Sequence, residues 1–451
     1  MYKHLCKDKS KFSTLCKRQQ FILRQGSSYL KGFEAVLLAL IDKRLVQTFF
    51  DTFISIILHR NKDKGLLLSE LGQYICGSAH APAGTKRISN LFRCKYWKSE
   101  DLEKEQLHRS VSFAKESHKE GHRILACWDD SMIEKHESWF SEGLCAVRSS
   151  RAKRLTRIKP GYYKQHPSPI CVPGYEWSGL MLAGLSLIPM VAMMRFWTTK
   201  GKHKECRSNI FYRMLKTVVA EFGSLLTHVF DRGYASEATI EKMFRFAQQF
   251  ILRWNGRNLL RDAKGEIKHT WRIGMGKKAM DKRVVWDKER KQYTKIEIYY
   301  EKVEHPELIE QYPDNQLFLI IVRNKSIKHQ PPMYLLSNLD VDTIGIAWEV
   351  FFSYLRRWDI EQAFRFNKSE LGIQSIRLWE WENRKKMMIM VILVYDFLLR
   401  FFRNWESIAW ACINQWMKRT GKRLTKTRQP LYRLRTALHI ALTKVWAKNS
   451  G

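Results

Sequence analysis

Acid is scarce in this chain of 451 residues: aspartate and glutamate number 44 against 79 lysines and arginines, a formal charge of +35 with a pI near 9.9. A field of one sign that large favours a polyanionic partner, nucleic acid first; a basic surface kept for solubility is the plainer alternative. Prolines are few, 11, and 45% of residues are hydrophobic, which excludes a disordered chain and leaves material for about two or three domains. The nine cysteines, Cys6, Cys127 and Cys412 among them, are scattered and never form C-x-x-C. That excludes a disulfide framework or zinc ribbon and fits a reducing cytoplasm. The start, MYKHLCKDKSKF, lacks an apolar h-region, so no secretory signal is expected. Long apolar runs are missing too. Gly179 to Met194 contains Ser186 and Pro189 and falls short of the roughly 20 residues that span a bilayer, so no membrane partner is expected. Met387 to Leu399, broken by Asp396, reads as a core helix.

Residues 1–115 read as a helical DNA-binding region, with heptad-like apolar positions in FEAVLLALIDKRLVQTFFDTFISIILH. A turn, SAHAPAGTKR, follows, and Thr85 stands where it would N-cap a helix beginning at Lys86 and Arg87. That helix, KRISNLFRCKYW, is basic with an apolar face, the pattern of a groove-binding helix and equally of an ordinary amphipathic one. The texture changes over residues 116–400. RILACWDDS and LLTHVFDRGY read as buried strands that each end in a carboxylate, separated by an apolar strand pair near Leu180 to Met194 and a helix near Asn209 to Phe222. A helix, ASEATIEKMFRFAQQ, and a strand, FILRWN, come next. Alternation in VVWDKERKQYTKIEIYY and LFLIIVRN predicts a mostly β insertion at about 259–338. Residues 401–451 set lysine and arginine against one acid, Glu406, and read as a basic helical C-terminal region whose charge, concentrated at 418–435, is expected to meet phosphates.

The stretch YLRRWDIEQAFRFNK, residues 354–368, reads as one helix. At about 100° per residue, Tyr354, Arg357, Glu361 and Lys368 share a narrow polar stripe, flanked by Leu355, Trp358, Phe364 and Phe366 as buried neighbours. Arg357 and Glu361 stand four apart, the spacing of a helix ion pair that contributes about 0.2–0.5 kcal/mol. The other reading groups Glu361 with the strand-end acids, the Asp129–Asp130 pair and Asp231. Carboxylates gathered inside a basic protein suit hard divalent cations, which prefer oxygen ligands. Two such ions about 3.5–4 Å apart can activate an attacking oxygen and stabilise the leaving one in a phosphoryl displacement. Arg357 and Lys368 would then grip neighbouring phosphates, and Tyr354 would hydrogen-bond or stack there.

These residues also carry a resemblance. Tyr354-x2-Arg357-x3-Glu361-x6-Lys368 has the spacing of the Y-R-E-K signature of bacterial DDE transposases of the insertion-sequence-four family, and RWDIEQAFRFNKSELGI resembles that family throughout. FDRGY at 230–234 resembles its second-aspartate motif and WDDS at 128–131 its first. The resemblance covers roughly residues 80–400. It implies an α/β, ribonuclease H-like catalytic core holding the β insertion, with Asp129, Asp231 and Glu361 as ligands of Mg2+, for which Mn2+ substitutes. Asp130 stays open as the alternative first ligand, with Ser131 as the hydroxyl residue of that motif. Tyr354, Arg357, Lys368 and Arg232 are implied as DNA contacts, and the basic pair Lys86 and Arg87 joins them. Trp254, Trp271 and Trp286 would either stack on an extruded base or pack in the core.

The function so implied is a DNA transposase in the bacterial cytoplasm, at the nucleoid. It would bind double-stranded DNA at terminal inverted repeats as a homodimer, cut at the element's end and pass the freed 3′ hydroxyl to target DNA. A structure-selective ribonuclease H-like DNA nuclease and a DNA-binding protein that has lost catalysis are the alternatives. Elsewhere the sequence offers little. His136 has Trp139 and Phe140 where a metal-spaced partner would stand, Ser149 and Ser150 lack a histidine pattern, and GMGKK at 274–278 lacks the spacing of a Walker loop.

Overall fold

Five helices open the chain in the computed structural model, which describes residues 9–60, 65–135, 140–149, 170–287, 292–327, 330–417 and 430–449. They are α1 (Lys9–Leu38), α2 (Lys43–Leu58), α3 (Leu68–Cys76), α4 (Ala81–Arg93) and α5 (Ser99–Lys119). Asp42 caps α2 by accepting from the Arg44 and Leu45 amides, and Val46, Phe49, Phe53 and Ile57 form its buried stripe. α4 begins five residues earlier than the sequence suggests. Pro82 falls in its first turn, where a missing N–H is harmless, so the proline starts the helix instead of breaking the chain. Thr85 is therefore inside the helix, donating to the Ala81 carbonyl at 2.9 Å, and caps nothing.

The rest is a mixed α/β structure built on one large sheet. Its strands are β1 (Ile124–Glu134), β2 (Cys145–Arg148), β3 (Cys171–Ala183), β4 (Met190–Trp197), β5 (Leu226–Phe230) and β6 (Gln249–Trp254), followed by β9 (Asp281–Asp287), β10 (Gln292–Val303), β11 (Leu317–Asn324) and β12 (Met333–Ser337). β3 pairs antiparallel with β4, β2 and β1, whereas β1 pairs parallel with β5, and β5 with β6. From β6 the sheet continues antiparallel through β12, β11, β10 and β9. The strands of residues 259–338 thus extend the core sheet, except for the small ribbon of β7 (Leu259–Arg261) and β8 (Ile267–His269), which precedes the single-turn helix α8 (Thr270–Ile273).

Strand alternation divides the interior in two. Leu125, Cys127, Val229 and Ile251 face one core, which they share with Ile360 and Phe364 of α10 (Trp358–Ser369) and with α11 (Trp381–Asn404). Ala126, Trp128, Phe230 and Leu252 face the other, under Met214 and Val218 of α6 (Arg207–Phe222) and Ile240 and Met243 of α7 (Glu237–Arg245).

Residues 354–368 are two helices instead of one. α9 (Ile344–Leu355) ends and α10 begins at Trp358, with Arg356 and Arg357 between them. Buried Arg356 pins the break: it donates to the Leu187 carbonyl at 2.8 Å in the β3–β4 connection and pairs with Asp359 at 2.6 Å. The turn leaves Leu355 and Trp358 exposed, contrary to expectation, while Phe364 is buried and Phe366 packs on Tyr395.

Asp396, the acid inside the apolar run, is buried in α11. It accepts from the Tyr29 hydroxyl at 3.1 Å and the Val191 amide at 3.0 Å, joining α1 to β4. After α12 (Glu406–Trp416), α13 (Leu431–Asn449) corrects the expectation for the basic tail. Arg433 and Arg435 are buried, not presented to phosphates. Arg435 donates to the carbonyls of Ile56 and His59 at the end of α2 and of Glu370 at the end of α10, groups that a helix terminus leaves without donors. Burial pushes its pKa down to about 9, and the charge of Arg60 pushes the same way. Residues 418–429 of the tail lie outside the described residues. No helix among the described residues is long and apolar enough to cross a membrane.

Arg435→Met should lower unfolding free energy by on the order of 2–4 kcal/mol, because carbonyls lose donors they cannot replace. The same variant should leave the salt dependence of DNA binding unchanged. Urea unfolding and a salt titration check the two halves.

Candidate active site

The register of two parallel strands sets the site. Cys127 of β1 is paired with Val229 of β5. Two residues further, Asp129, still within β1, and Asp231, just past β5, stand in step, and the period of two turns both carboxylates to the face of Cys127 and Val229. α10 packs on that face because of one glycine. Gly179 of β3 lies opposite Asp129. A Cβ on it would stand 2.8 Å from Met194 Sδ, 3.0 Å from Phe364 Cζ and 3.1 Å from Ile360 Cδ1. The bare backbone lets the helix come down beside Asp129, bringing Glu361 with it.

Arg357 stands between the acids, donating to Glu361 Oε1 at 2.5 Å and to Asp129 Oδ2 at 3.3 Å. The helix ion pair anticipated from spacing is therefore present, and it is one arm of a bridge from helix to sheet. Burial pushes the Asp129 carboxyl up to about 7; Arg357 opposes the rise, while the charges of Asp231 and Glu361 add to it. Burial alone would lower the Arg357 pKa, but Tyr354, Glu361 and Asp129 together hold it above its ordinary value. Asp130 points to the opposite face of β1, where it accepts from Ser178, Arg207 and Tyr234. Of the two adjacent acids, Asp129 shares a face with Asp231 and Glu361, and Asp130 does not.

The remaining sequence candidates divide. Lys368 reaches back over β1 and donates to Ser131 Oγ at 2.7 Å. Tyr354 lies in the last turn of α9, outside the stripe of α10; it is buried, its hydroxyl finds no hydrogen-bond partner among the described residues, and the Arg357 guanidinium lies 5.8 Å from its ring centre. A direct contact of Tyr354 with a duplex is not open in this arrangement. Lys86 and Arg87 are exposed on α4, with Arg87 paired to Asp51 at 3.2 Å. Trp254 is buried edge-on to His305, Trp286 packs on Tyr293, and Trp271 is 43% exposed. Ser149 is buried against Glu134; His136 and Ser150 lie outside the described residues.

Arg232, the residue after Asp231, is exposed and belongs to the wall of an open groove of about 1230 Å³. Eight lysines and arginines, among them Arg253, Arg257, Lys277 and Lys278, line it against one acid, Glu297, and Trp271 lies in the same wall. GMGKK fails as a Walker loop, yet its lysines are groove residues, and nothing in their spacing marks them as such. Gly179 does leave a signal, an isolated glycine within an apolar strand.

The donor set is all oxygen and suits a hard divalent cation in kind, since such an ion would offset the burial and the like charges that lift Asp129. Its present spacing is wider than a closed cage: among the described residues no group of three or more His, Cys, Asp or Glu side chains is arranged to hold a metal ion. The cation lodged between Asp129 and Glu361 is the guanidinium of Arg357 itself.

No family model matches the chain, and no curated protein matches it. Among solved structures it is similar to a piggyBac transposase synaptic complex with hairpin DNA, determined by cryo-EM, at 11% identity and a TM-score of 0.41, over 91% of this chain and 73% of that one. A likeness this slight fixes neither fold nor function.

A carboxyl whose pKa rises on folding holds its proton more tightly in the folded state. Its stabilising effect is present below the unfolded value near 3.8 and is lost as pH rises towards about 7. Metal-free protein should therefore lose stability from pH 4 to 7, by up to about 1.4 kcal/mol per pH unit from this group. Asp129→Asn should flatten that slope. Urea unfolding of both proteins across the pH range measures the difference.

Proposed function

We propose that the protein is a metal-dependent DNA transposase that cleaves and joins strands at the terminal inverted repeats of its element. The observation that carries the reading is that the β1–β5 register sets Asp129 beside Asp231 and Arg357 bridges Asp129 to Glu361, each acid in a stretch with the matching transposase motif. The strand order β4-β3-β1-β5-β6, an antiparallel unit followed by two parallel strands, supports a ribonuclease H-like core. Asp129, Asp231 and Glu361 are the residues that would hold Mg2+ or Mn2+; bound there, the ions would activate the attacking oxygen and stabilise the leaving one.

The chain's own residues do the positioning. Arg357 serves two partners in turn. Without DNA its guanidinium screens Asp129 from Glu361; once released, its planar fork suits a phosphate beside the scissile one. Lys368, held over Ser131, adds a point charge on the same side. The basic groove that begins at Arg232 guides the strand by its phosphates, and exposed Trp271 offers a face on which a base can stack. Cutting two ends and joining them to target DNA calls for two copies of the site, hence a homodimer on DNA.

Asp231→Ala and Glu361→Ala should each abolish Mg2+-dependent cleavage of end DNA while binding stays within about twofold, since neither residue is needed to hold the backbone. A strand-joining assay with a labelled 3′ end tests the transposase step: joined product supports it, and cutting without joining would reduce the activity to that of a nuclease. Arg357→Lys should recover little of the activity that Arg357→Ala removes, because a point charge does not replace a fork. Replacing both Lys277 and Lys278 by alanine should reduce the log-log salt slope of binding by roughly 0.9 for each phosphate that is no longer neutralised.

A further inference from the structure

Asp130 is a carboxylate beside the site that the proposed chemistry leaves unused. Its partners form a connected set on the reverse face of β1. Oδ1 accepts from Ser178 Oγ at 2.6 Å, and Ser178 in turn accepts from the Trp197 indole at 3.0 Å. Oδ2 accepts from Arg207 Nε at 2.6 Å and from the Tyr234 hydroxyl at 2.9 Å. A second nitrogen of Arg207 donates to the Gly233 carbonyl at 3.0 Å, and its guanidinium lies over the Tyr234 ring at 4.5 Å.

The two residues that Arg207 and Asp130 hold from that side, Gly233 and Tyr234, belong to the short turn that follows Asp231. The turn orients Asp231 directly, because the Gly233 amide donates to Asp231 Oδ1 at 2.7 Å. A Cβ on Gly233 would stand 2.9 Å from that same oxygen, so the turn closes on the carboxylate without room to spare. Asp129 and Asp231 lie beyond the last paired residues of β1 and β5, where no ladder hydrogen bond sets their separation. The network spans that gap from behind.

We infer that Asp130 is a positioning residue: with Arg207 and Tyr234 it fixes the Asp231 turn against β1 and thereby sets the distance between the Asp129 and Asp231 carboxylates. This rests on the proposed roles of those two acids as metal ligands. It also accounts for two adjacent acids in WDDS. One faces the reaction, and the other, one residue on, faces away and holds the opposing ligand in place.

The test is Mn2+ titration of the full-length protein, following the free-ion signal by electron paramagnetic resonance, with end-DNA affinity measured in parallel. Arg207 is 47% exposed and lies behind the sheet, so Arg207→Ala disturbs the strut without touching a ligand. It should weaken Mn2+ binding about tenfold or more, the usual scale for groups that orient a ligand, and leave end-DNA affinity within about twofold. Asp130→Ala should do the same, and the double variant should be no worse than either single one, because both remove one unit. Asp130→Asn keeps one oxygen for Arg207 and Tyr234 and turns its amide to Ser178 Oγ, which can accept, so it should stay within about threefold of the parent. Tyr234→Phe, a milder cut, should fall between them. Wild-type Mn2+ affinity in folded Arg207→Ala would overturn the strut. Damage in Asp130→Asn equal to that in Asp129→Asn would also overturn it, by making Asp130 a ligand. Unchanged affinity in Asp129→Asn would overturn the site itself and the strut with it.

Discussion

Parallel pairing of β1 with β5 is the constraint on which the candidate site depends. It sets Cys127 beside Val229, so the aspartates two residues further on each strand come out side by side where the β1–β5 pairing stops. Bringing carboxylates into a half-buried place is costly unless a cation answers them. Arg357 is that cation here, and it can reach both Asp129 and Glu361 because α9 stops and α10 starts at its own position. Continuous helix through 354–368 would have kept Arg357 as a surface partner of Glu361 alone.

The two faces of β1 divide the work. On one, a glycine opposite Asp129 admits α10, and the helix arrives with an acid, an arginine and a lysine. On the other, Asp130 gathers Ser178, Arg207 and Tyr234. Neighbouring residues with the same side chain acquire different chemistry because a strand turns alternate residues to opposite sides. The unequal environments follow: burial and like charges raise Asp129, whereas Asp130 is surrounded by donors.

Much of this was legible in the sequence, and the failures have physical reasons. Apolar runs ending in acid located β1 and β5, since burial of a parallel strand leaves a continuous hydrophobic signature, but β1 runs on past its aspartates to Glu134, paired with β3. The single-helix reading of 354–368 failed because both halves are helical and no proline or glycine marks the break. Arg356 makes that break by reaching into the β3–β4 connection, a contact almost 170 residues away in sequence. At α4 a proline that looks like a stop serves as a start. Arg435 looked like a phosphate contact because a basic stretch carries no mark of burial; three carbonyls at two helix ends claim it. The strut behind Asp130 was illegible, as Arg207 and Tyr234 meet it across 77 and 104 residues.

The central claim is that Asp129, Asp231 and Glu361 together take up a divalent ion. Iron-directed cleavage of the protein's own backbone tests it most directly. With Fe2+ in place of Mg2+, and ascorbate and peroxide added, hydroxyl radicals cut the chain beside the bound ion, and mass spectrometry locates the cuts. The account predicts cuts confined to the segments around residues 129, 231 and 361, all suppressed together by excess Mg2+. Cuts elsewhere, or at one of these segments without the others, would contradict it.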